Sequence, residues 1–412
     1  MKTFEELYHE VTSSAVKGNM TKTLKKLKQE GYSDNQLACL LRPEECAPVF
    51  KFNKCGCSDG KCVASCLFQA ITNNDGEIFI DKGKCVGCMK CVDSCEEGNI
   101  VITHDTLSVI NILRQKKRAV FALIAPAYMG QFGKNITSGQ VRTALKTIGF
   151  TGMVEVAIFA DILTFKEALE FDHNIKNEDD YQLTSCCCPV WISMIRKKYP
   201  EIATHLSKSV SPMIAAGRII KELYKDAYTV FIGPCLAKKS EAREEDVKGA
   251  VDYVLTFKEL QDIFDGANID ISSLEGEEME HSSYAGRIYA KAGGVSKAVT
   301  DTLSRIDEKK AKEIKTTCAS GVKECMALLN DIEVGKREFN FFEGMGCKGG
   351  CIGGPKALKK EEETIEKIES YAEHSAYPTP LDNPYVIELL HRLGFENIPE
   401  FIEKSHILSR EF

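Results

Sequence analysis

Thr184-Ser185-Cys186-Cys187-Cys188-Pro189-Val190-Trp191 places three consecutive thiols directly before a proline. The residues from Trp191 to Tyr199 have the spacing of an amphipathic helix, and proline is favoured as the first residue of a helix. The thiols are therefore expected at a helix N-terminus, where free N–H groups and the helix dipole favour thiolate. Thiolates bind soft metals, whereas the alternative is that the cysteines are small buried apolar residues. The rest of the chain favours metal chemistry.

Composition limits the class of protein. A chain of 412 residues is longer than the length at which a single hydrophobic core stops growing, so two or three domains are expected. The formal net charge of −7 offers no basic field for nucleic acid, which leaves proteins and small molecules as partners. No apolar run approaches the ~20 residues of a membrane span, and the N-terminus lacks a signal-peptide pattern, so we expect a cytoplasmic protein away from membranes. Eighteen clustered cysteines in that reducing compartment indicate metal or redox work rather than disulfides.

Residues 1–50 show helical apolar spacing broken by Gly18 and Gly31, which predicts a helical N-terminal segment. Cys39 and Cys46 stand seven apart at its end and match no ligand spacing. We expect both to be packed as free thiols, because unpaired cysteine is often simply buried.

Residues 51–104 have the cysteine pattern of a two-cluster ferredoxin-like domain. Cys85-x2-Cys88-x2-Cys91-x3-Cys95 is the bacterial ferredoxin spacing, in which three thiolates hold one 4Fe–4S cluster and the fourth serves its neighbour. A zinc site is the alternative, but four thiols in one short loop suit a cluster better. An altered copy of this cysteine spacing lies upstream, and its first cysteines are irregularly spaced. The exchange of fourth ligands between the two copies predicts one cluster held by Cys85, Cys88, Cys91 and Cys66, and another held by Cys55, Cys57, Cys62 and Cys95.

Residues 105–412 change to an α/β pattern. Buried strands are predicted at 119–125, 153–159, 228–232 and 339–342, separated by helical patterns, which indicates parallel sheets. Unusual loops follow three of them, and ligands of such sheets collect at the carboxyl ends of strands. Elsewhere, Cys318 and Cys325 lie in a strand-to-helix segment, and we expect both to belong to the core.

Three cysteine loops are expected to meet at those strand ends: 186–189, 234–241 and 347–351. One, one and two thiolates from them would supply the four ligands of a cubane. Gly349 and Gly350 would let the backbone wrap a bulky inorganic core. Lys238 lies one helical turn after Cys235, so its ammonium is expected to point into the same space.

These loops resemble the signatures of the iron-only (FeFe) hydrogenases, and the resemblance runs from about Lys54 to the C-terminus. It implies that a cubane is held by Cys188, Cys235, Cys347 and Cys351. By the same resemblance, Cys351 also bridges to a two-iron subcluster that carries CO, cyanide and a bridging amine dithiolate, completing the H-cluster.

The resemblance also implies a proton path and a cage. Counting back from Pro189 makes Cys187 the proton donor, whereas counting forward from Thr184 would choose Cys186 and make Cys187 a ligand. Glu167 and Glu170 lie on a helix that is predicted to begin after Asp161, and together with Ser207 they match the family's proton relay. The alternative is that both carboxylates lie on the solvent-exposed face of the helix, as charged residues of surface helices usually do. The implied cage of the two-iron unit consists of Ala125, Pro126, Ala127, Pro212, Lys238 and Met345.

Several positions depart from the common family pattern, which suggests a divergent subgroup with a Thr-Ser-Cys-Cys-Cys-Pro motif. The departures are Gly233, Ala127, Met213 and the shortened segment 352–355.

The resemblance implies an oxidoreductase of anaerobic metabolism that interconverts protons and electrons with dihydrogen. Electrons would pass through two 4Fe–4S clusters to a soluble carrier such as ferredoxin, and maturation proteins would supply the two-iron unit. One alternative is a hydrogen- or redox-sensing regulator. Another is an iron–sulfur assembly scaffold, against which the retention of Cys187, Lys238, Glu241 and Met345 argues, because a scaffold needs only the four ligands.

Overall fold

A computed structural model describes residues 2–53, 55, 60–74, 77–397, 400–401 and 405–411. The chain begins with helices α1 (Phe4–Val16), α2 (Met20–Gln29) and α3 (Asp34–Leu41). Helices α1 and α3 each start at a capping box, in which a side chain at the N-cap and one three residues later satisfy free backbone N–H groups. The apolar face of α1 is buried in the largest core cluster, as its spacing predicts.

A disulfide bond joins Cys39 to Cys46. The expectation that these two residues are free thiols is therefore wrong. A short 3-10 helix, Pro43–Glu45, folds the chain back after α3 and brings their Cα atoms to 5.8 Å, a separation that a disulfide requires. Ligand spacing alone does not reveal a pair created by a turn.

The cysteine-rich segment contains two antiparallel strand pairs. Strand β1 (Val49–Lys51) pairs with β4 (Ile100–Ile102), and β2 (Ile71–Asn74) pairs with β3 (Glu77–Ile80). Two short helices, α4 (Lys61–Ala64) and α5 (Lys90–Asp93), each carry a cysteine at their second residue. Each follows a residue with positive φ, at Gly60 and Met89, so the two halves of the segment repeat one local conformation.

A four-stranded parallel sheet forms the first layer of the large region, in the order β6-β5-β8-β9. Its strands are β5 (Val120–Ile124), β6 (Gly152–Glu155), β8 (Tyr228–Gly233) and β9 (Tyr253–Thr256). The strand predicted over 153–159 ends at Glu155, because helix α8 (Ala157–Asn174) begins two residues later. Nearly every residue of α8 from Ala157 to Leu169 is buried, so its sequence shows no polar face and reads like a buried strand.

A second parallel sheet has the order β10-β11-β7, with β7 (Gln182–Leu183), β10 (Thr316–Ser320) and β11 (Phe341–Met345). The strand predicted at 339–342 is displaced: it begins at Phe341 and continues to Met345. Parallel sheets in a mixed α/β architecture are thus confirmed, and the loops after β5, β7, β8 and β11 carry the unusual residues.

Further helices follow the cysteine-rich segment along the chain. Their bounds are α6 (Thr106–Gln115), α7 (Ser138–Thr147), α9 (Pro189–Lys198), α10 (Pro212–Leu223), α11 (Ala237–Glu241), α12 (Phe257–Gly266), α13 (Tyr284–Arg287), α14 (Gly294–Ile306), α15 (Glu308–Ala311), α16 (Val322–Glu333), α17 (Glu361–Glu373) and α18 (Pro384–Arg392). Within the described ranges, no helix is long and apolar enough to cross a bilayer.

Candidate metal centre

Four thiols from three loops come together between the two sheets: Cys188, Cys235, Cys347 and Cys351. Burial, followed by the neighbouring thiols of Cys235 and Cys188, raises the pKa of Cys351 to about 12. Burial likewise raises the pKa of Cys347, with Cys235, Cys188 and Cys351 as the next contributors. The four thiols therefore lie close enough to interact electrostatically. A thiol whose pKa is raised in this way, as at Cys347 and Cys351, stays protonated unless a cation binds, and metal binding removes the proton.

The donor set fits an iron–sulfur cluster. In the described part of the chain, no three His, Cys, Asp or Glu side chains converge closely enough to hold a single metal ion. A zinc site brings its thiolates onto one ion, whereas a cubane takes each thiolate on a separate iron and spaces them more widely. Four soft ligands from separate loops therefore suit a cubane.

The first loop is organised by the helix that follows it. Pro189 is the first residue of α9 and Cys188 is its N-cap, so the expected position at a helix N-terminus is confirmed. Ser185 adopts a left-handed conformation (φ 68°), and Trp191 Nε1 donates a hydrogen bond to the carbonyl of Thr184 (2.8 Å). The N–H of Gly346 in the third loop donates to Cys188 Sγ (3.2 Å), which joins two ligand loops directly.

Gly349 and Gly350 are required by protein packing. Both have positive φ, at 72° and 92°. A Cβ atom at Gly349 would lie 2.1 Å from the Glu361 side chain, and one at Gly350 would lie 2.6 Å from the backbone nitrogen of Ala292. The close neighbours of these glycines are thus protein atoms as well as any bound group.

Lys238 lies among the thiols, as its position after Cys235 predicts. Its side chain is buried and its Nζ is 2.6 Å from Glu241 Oε2. Burial alone would lower the pKa of Lys238, but Glu241 and the thiols of Cys235 and Cys187 more than offset this, and the pKa is raised. A buried ammonium therefore faces the thiol cluster.

Two of the predicted cage positions pack in apolar clusters with cysteines of the first loop. Ala125 follows β5 and packs with Cys186 and Met213 in one apolar cluster, whereas Met345 at the end of β11 packs with Cys187 in another. The remaining predicted cage residues lie after β5 or at the start of α10: Pro126, Ala127 and Pro212. A Cβ atom at Gly233 would lie 2.8 Å from the Phe231 ring and 3.2 Å from Ala125 Cβ, so a larger residue there needs a rearranged wall.

The consecutive thiols Cys186 and Cys187 have different surroundings. Charges on Cys351, Cys188 and Lys238 act on Cys187, whereas Glu167 is the main charged neighbour of Cys186. Burial dominates in both cases and raises the pKa of each thiol. The sequence offered two ways of counting these residues; the structure places Cys187 at the thiol cluster and Cys186 on the side of the carboxylate.

Glu170 is hydrogen-bonded to Ser207, and Glu167 is an electrostatic neighbour of Glu170 on the same helix. Glu167 is fully buried, and burial raises its pKa to about 7, although a hydrogen bond from Thr184 Oγ1 lowers it. Among the described residues, no group lies in hydrogen-bonding geometry with Glu167 Oε1. Ser207 Oγ donates to Glu170 Oε2 (2.7 Å), and a cavity of about 440 Å³ opens over this pair. The groups therefore extend from Cys186, beside Glu167, to the cavity that Glu170 and Ser207 line.

Sequence reasoning missed Lys166 and Thr184. Lys166 is buried and pairs with Glu170. Its spacing of four residues from Glu170 on one helix is the signal that could have found it.

The four cysteines predicted to hold the first cluster also come together. Burial raises the pKa of Cys85 to about 11, with Cys88 and Cys66 as charged neighbours. Burial raises the pKa of Cys91 too, and there the neighbours are Cys85, Cys88 and Cys66. Of the second predicted set, Cys57 lies outside the described residues. The other members, Cys55, Cys62 and Cys95, are described, and Cys95 Sγ accepts a hydrogen bond from the N–H of Ile100 (3.4 Å).

The Cys85 loop touches the loop that carries Cys235. Ser240 Oγ donates to the carbonyl oxygen of Cys85 (3.0 Å). A Cβ atom at Gly87, where φ is 72°, would lie 3.1 Å from the carbonyl oxygen of Leu236. The two thiol clusters are therefore linked by directly contacting backbone.

Cys325 and Cys318 behave differently. Cys325 is fully buried, as expected, and its thiol lies 3.3 Å from the carbonyl oxygen of Met345. Cys318 is exposed, so its assignment to the core is wrong. It stands on β10 in register with Glu343 of β11, at the edge of the core.

Comparison with known proteins identifies the family to which the large region is similar. The family described as iron only hydrogenase large subunit, C-terminal domain, matches residues 118–355. The NADP-reducing hydrogenase subunit HndD of Solidesulfovibrio fructosivorans is 28% identical over 409 residues, covering 83% of this chain and 68% of the relative. Iron hydrogenase 1 of Clostridium pasteurianum is 27% identical, covering 63% and 54%. The cytosolic Fe-S cluster assembly factor NAR1 of Meyerozyma guilliermondii is also 27% identical, covering 55% and 46%.

Solved structures share the fold. A variant of FeFe-hydrogenase HydA1 from Chlamydomonas reinhardtii superposes with a TM-score of 0.62 at 19% identity, covering 74% of this chain and 98% of that one. Oxidoreductase and iron–sulfur chemistry are what this family carries. Because the family match covers more than half of this chain, the chain belongs to the iron-only hydrogenase family.

Proposed function

We propose that this chain is an FeFe hydrogenase that reversibly converts two protons and two electrons into dihydrogen. The observation that carries the proposal is the surplus of groups at the centre: besides four thiols, Lys238 and Cys187 face the same space. A protein that only carries a cubane requires neither. The two-iron subcluster, when bound, supplies the site at which dihydrogen is formed or split.

The proposed ligands of the catalytic cubane are Cys188, Cys235, Cys347 and Cys351, and Cys351 would also hold the two-iron unit. We place the cage for the diatomic ligands at Ala125, Pro126, Ala127, Pro212, Lys238 and Met345. The Lys238 ammonium, held by Glu241 at 2.6 Å, would offer N–H donors to an anionic ligand. Met345 and the loop after β5 would keep water away, which strengthens those polar contacts.

Protons would pass through groups of this chain. Cys187, next to Cys351 and Lys238, would take a proton at Sγ on the inner side. Glu167, with a pKa of about 7 caused by burial, can hold or release a proton at neutral pH. Ser207 Oγ bonds to Glu170, which faces the open cavity. From the centre outward, the path would run from Cys187 to Glu167 and then to the hydrogen-bonded pair of Ser207 and Glu170, and Cys186 lies between the first two groups.

Electrons would enter through the cysteine-rich segment. We assign residues 51–104 to a two-cluster ferredoxin-like domain, residues 1–50 to a helical segment and residues 105–412 to the catalytic domain. Contact between the Cys85 and Cys235 loops supports direct transfer between the inner clusters. A soluble carrier such as ferredoxin would supply the electrons, and maturation proteins would supply the two-iron unit. A cytoplasmic site stays a prediction, since the relatives' names include a periplasmic hydrogenase and cytosolic assembly factors.

An iron–sulfur assembly factor is the second candidate function, and the similarity to NAR1 favours it. Such a protein would bind cubanes without the two-iron unit. The buried pair Lys238–Glu241 and the buried Cys187 argue for the hydrogenase. A hydrogen- or redox-sensing regulator would share the complete centre and differ in turning over slowly.

Infrared spectroscopy of anaerobically matured protein tests the proposal. We expect bands of metal-bound CO and cyanide that shift when hydrogen is added. Cys187→Ser should keep the bands and slow the hydrogen response about a hundredfold or more, as loss of a proton-transfer group does. Cys186→Ser should also keep the bands, and its bands should respond to hydrogen faster than those of Cys187→Ser. Protein with a full set of cubanes and no such bands, despite competent maturation, would make the assembly factor the better assignment.

A further inference from the structure

Lys166 is a buried cation for which the proposed mechanism has no use. It is 8% exposed, and its Nζ pairs with Glu170 Oε1 and donates to Ser209 Oγ (3.1 Å). The N–H of Ser209 donates to Ser207 Oγ (3.2 Å), and Ser207 Oγ donates to Glu170 Oε2 (2.7 Å). These contacts form a closed ring of four residues, in which Ser209 takes part through both its hydroxyl group and its backbone N–H, at the outer end of the relay.

The ring fixes the direction of each polar group. Glu170 has one oxygen on the ammonium and the other on Ser207, so its carboxylate cannot rotate without breaking a buried contact. Ser207 Oγ accepts from the Ser209 N–H and donates to Glu170. A proton leaving Ser207 is thereby directed to one oxygen atom. Proton transfer needs such hydrogen-bond contact, and a displacement near 1 Å can slow a reaction about a hundredfold.

Lys166 also acts on Glu167, the next residue of α8. Burial raises the pKa of Glu167, Glu170 raises it further, and the Lys166 charge lowers it. Other groups that face Glu167 are Thr184, Cys186 and Tyr289, from the neighbouring loop and from the segment before α14. The cavity over Glu170 is lined by further titratable groups of neighbouring loops: Asp180, Tyr181, His205 and Lys208.

We propose that Lys166 is a positioning residue of the proton path, which holds Glu170 against Ser207 and places a positive charge beside the inner carboxyl group, Glu167. This inference rests on the proposed function. The two can fail separately, because one arm of the test below needs no cofactor.

The first arm uses the full chain without the two-iron unit. Infrared difference spectra across pH follow the carbonyl band of the protonated, buried Glu167, with Glu167→Gln identifying the band. In Lys166→Met, the pH at which this band disappears should rise, because the cation that favours ionisation is gone. Lys166→Arg should leave the midpoint near that of the wild type. An unchanged midpoint in Lys166→Met would overturn the inference.

The second arm uses the matured holoenzyme. Lys166→Met should lose about tenfold to a hundredfold in turnover, with a larger solvent deuterium isotope effect and a higher pH optimum for hydrogen oxidation. Lys166→Arg should recover most of the rate. Lys258→Met, which removes the Lys258–Asp262 pair on α12 (2.7 Å), is the matched control and should change nothing. Equal loss of rate without a change in isotope effect or pH optimum would mean a merely structural role. Inactive wild-type protein would refute the proposed function, and the first arm would then decide on Lys166.

Discussion

Single buried carboxyl groups in this protein differ according to the charge beside them. Burial raises the pKa of Asp161 and of Glu167 to about 7 each, because hydrogen bonds at Asp161, and the Thr184 hydrogen bond and the Lys166 charge at Glu167, offset the loss of water only in part. Burial would also raise the pKa of Glu259, but Lys239, at 3.0 Å, and His104 hold it well below the usual range. Glu259 is thus a fixed anion, whereas Glu167 can change its protonation near neutral pH.

Replacing Glu167 with glutamine should flatten the pH dependence of stability. The folded pKa of Glu167 lies above its unfolded value, so its contribution is present below about pH 4.5 and is lost as pH rises through about 7. This loss amounts to about 3 kcal/mol. Urea unfolding of the unloaded protein from pH 5 to pH 8 should therefore show a smaller decrease for Glu167→Gln than for wild type. The exposed Glu362→Gln is the control, and equal slopes for all three proteins would contradict the prediction.

At the scale of elements, the ends of strands and the starts of helices build the centre together. Strand β11 carries Gly344 beneath helix α9, where a Cβ atom would lie 2.2 Å from carbon atoms of the Trp191 ring. Trp191 is fully buried and bonds to the carbonyl of Thr184, so the ring also holds the first ligand loop. The close contact of β11 with α9 thus sets the distance between the Cys188 and Cys347 loops.

Gly344→Ala should destabilise the protein by about 2 kcal/mol or more, because the ring cannot move without disturbing the core. It should also lower the iron content after reconstitution, since the two ligand loops separate. Gly152→Ala on β6 is the matched control, because a Cβ atom there would meet Phe121 only at an ordinary 3.7 Å. Thermal unfolding and iron analysis of both variants measure these effects. A Gly344→Ala protein as stable and as iron-rich as the control would show that the contact relaxes freely.

At the scale of the whole molecule, helix α11 connects the regions of the chain. Lys239 is fully buried and bonds to Glu259, with Asp105 at 3.5 Å. Arg243 follows α11 and reaches both Asp105 (3.2 Å) and the carbonyl oxygen of Cys46 (3.2 Å). The segment after Cys235 is therefore tied to the N-terminal helices as well as to the Cys85 loop.

Removal of Cys66 should separate electron delivery from chemistry at the centre. If Cys66 is the fourth ligand of the cluster held by Cys85, Cys88 and Cys91, Cys66→Ala should lose about four iron atoms per chain. Carrier-linked turnover should then fall to background, while exchange between hydrogen and deuterated water, which needs no external electrons, should persist. Iron analysis, electron paramagnetic resonance and exchange assays measure this. Cys318→Ala, at an exposed thiol, is the control. Full iron content in Cys66→Ala would reject the assignment.

Much of the fold and of the ligand set could be predicted from local sequence. The spacing of Cys85, Cys88 and Cys91 places three thiols in one loop, and strands β5 and β8 read clearly as buried apolar runs. Helix α8 could not be separated from a strand at its start, because burial on all sides removes the polar face that marks a helix. The disulfide between Cys39 and Cys46 was missed because a turn, rather than the spacing, brings the two together.

Local sequence is enough to say which thiols are available, in which loops they lie, and beside which prolines and glycines. These properties depend on residues a few positions apart, whose geometry the local backbone sets. In contrast, the placement of Cys187 at the thiol cluster and of Cys186 beside Glu167, and the ring of Lys166, Glu170, Ser207 and Ser209, are visible only in the folded protein. Those relations join elements far apart in the chain, and burial in a common core, which no local pattern encodes, brings them together.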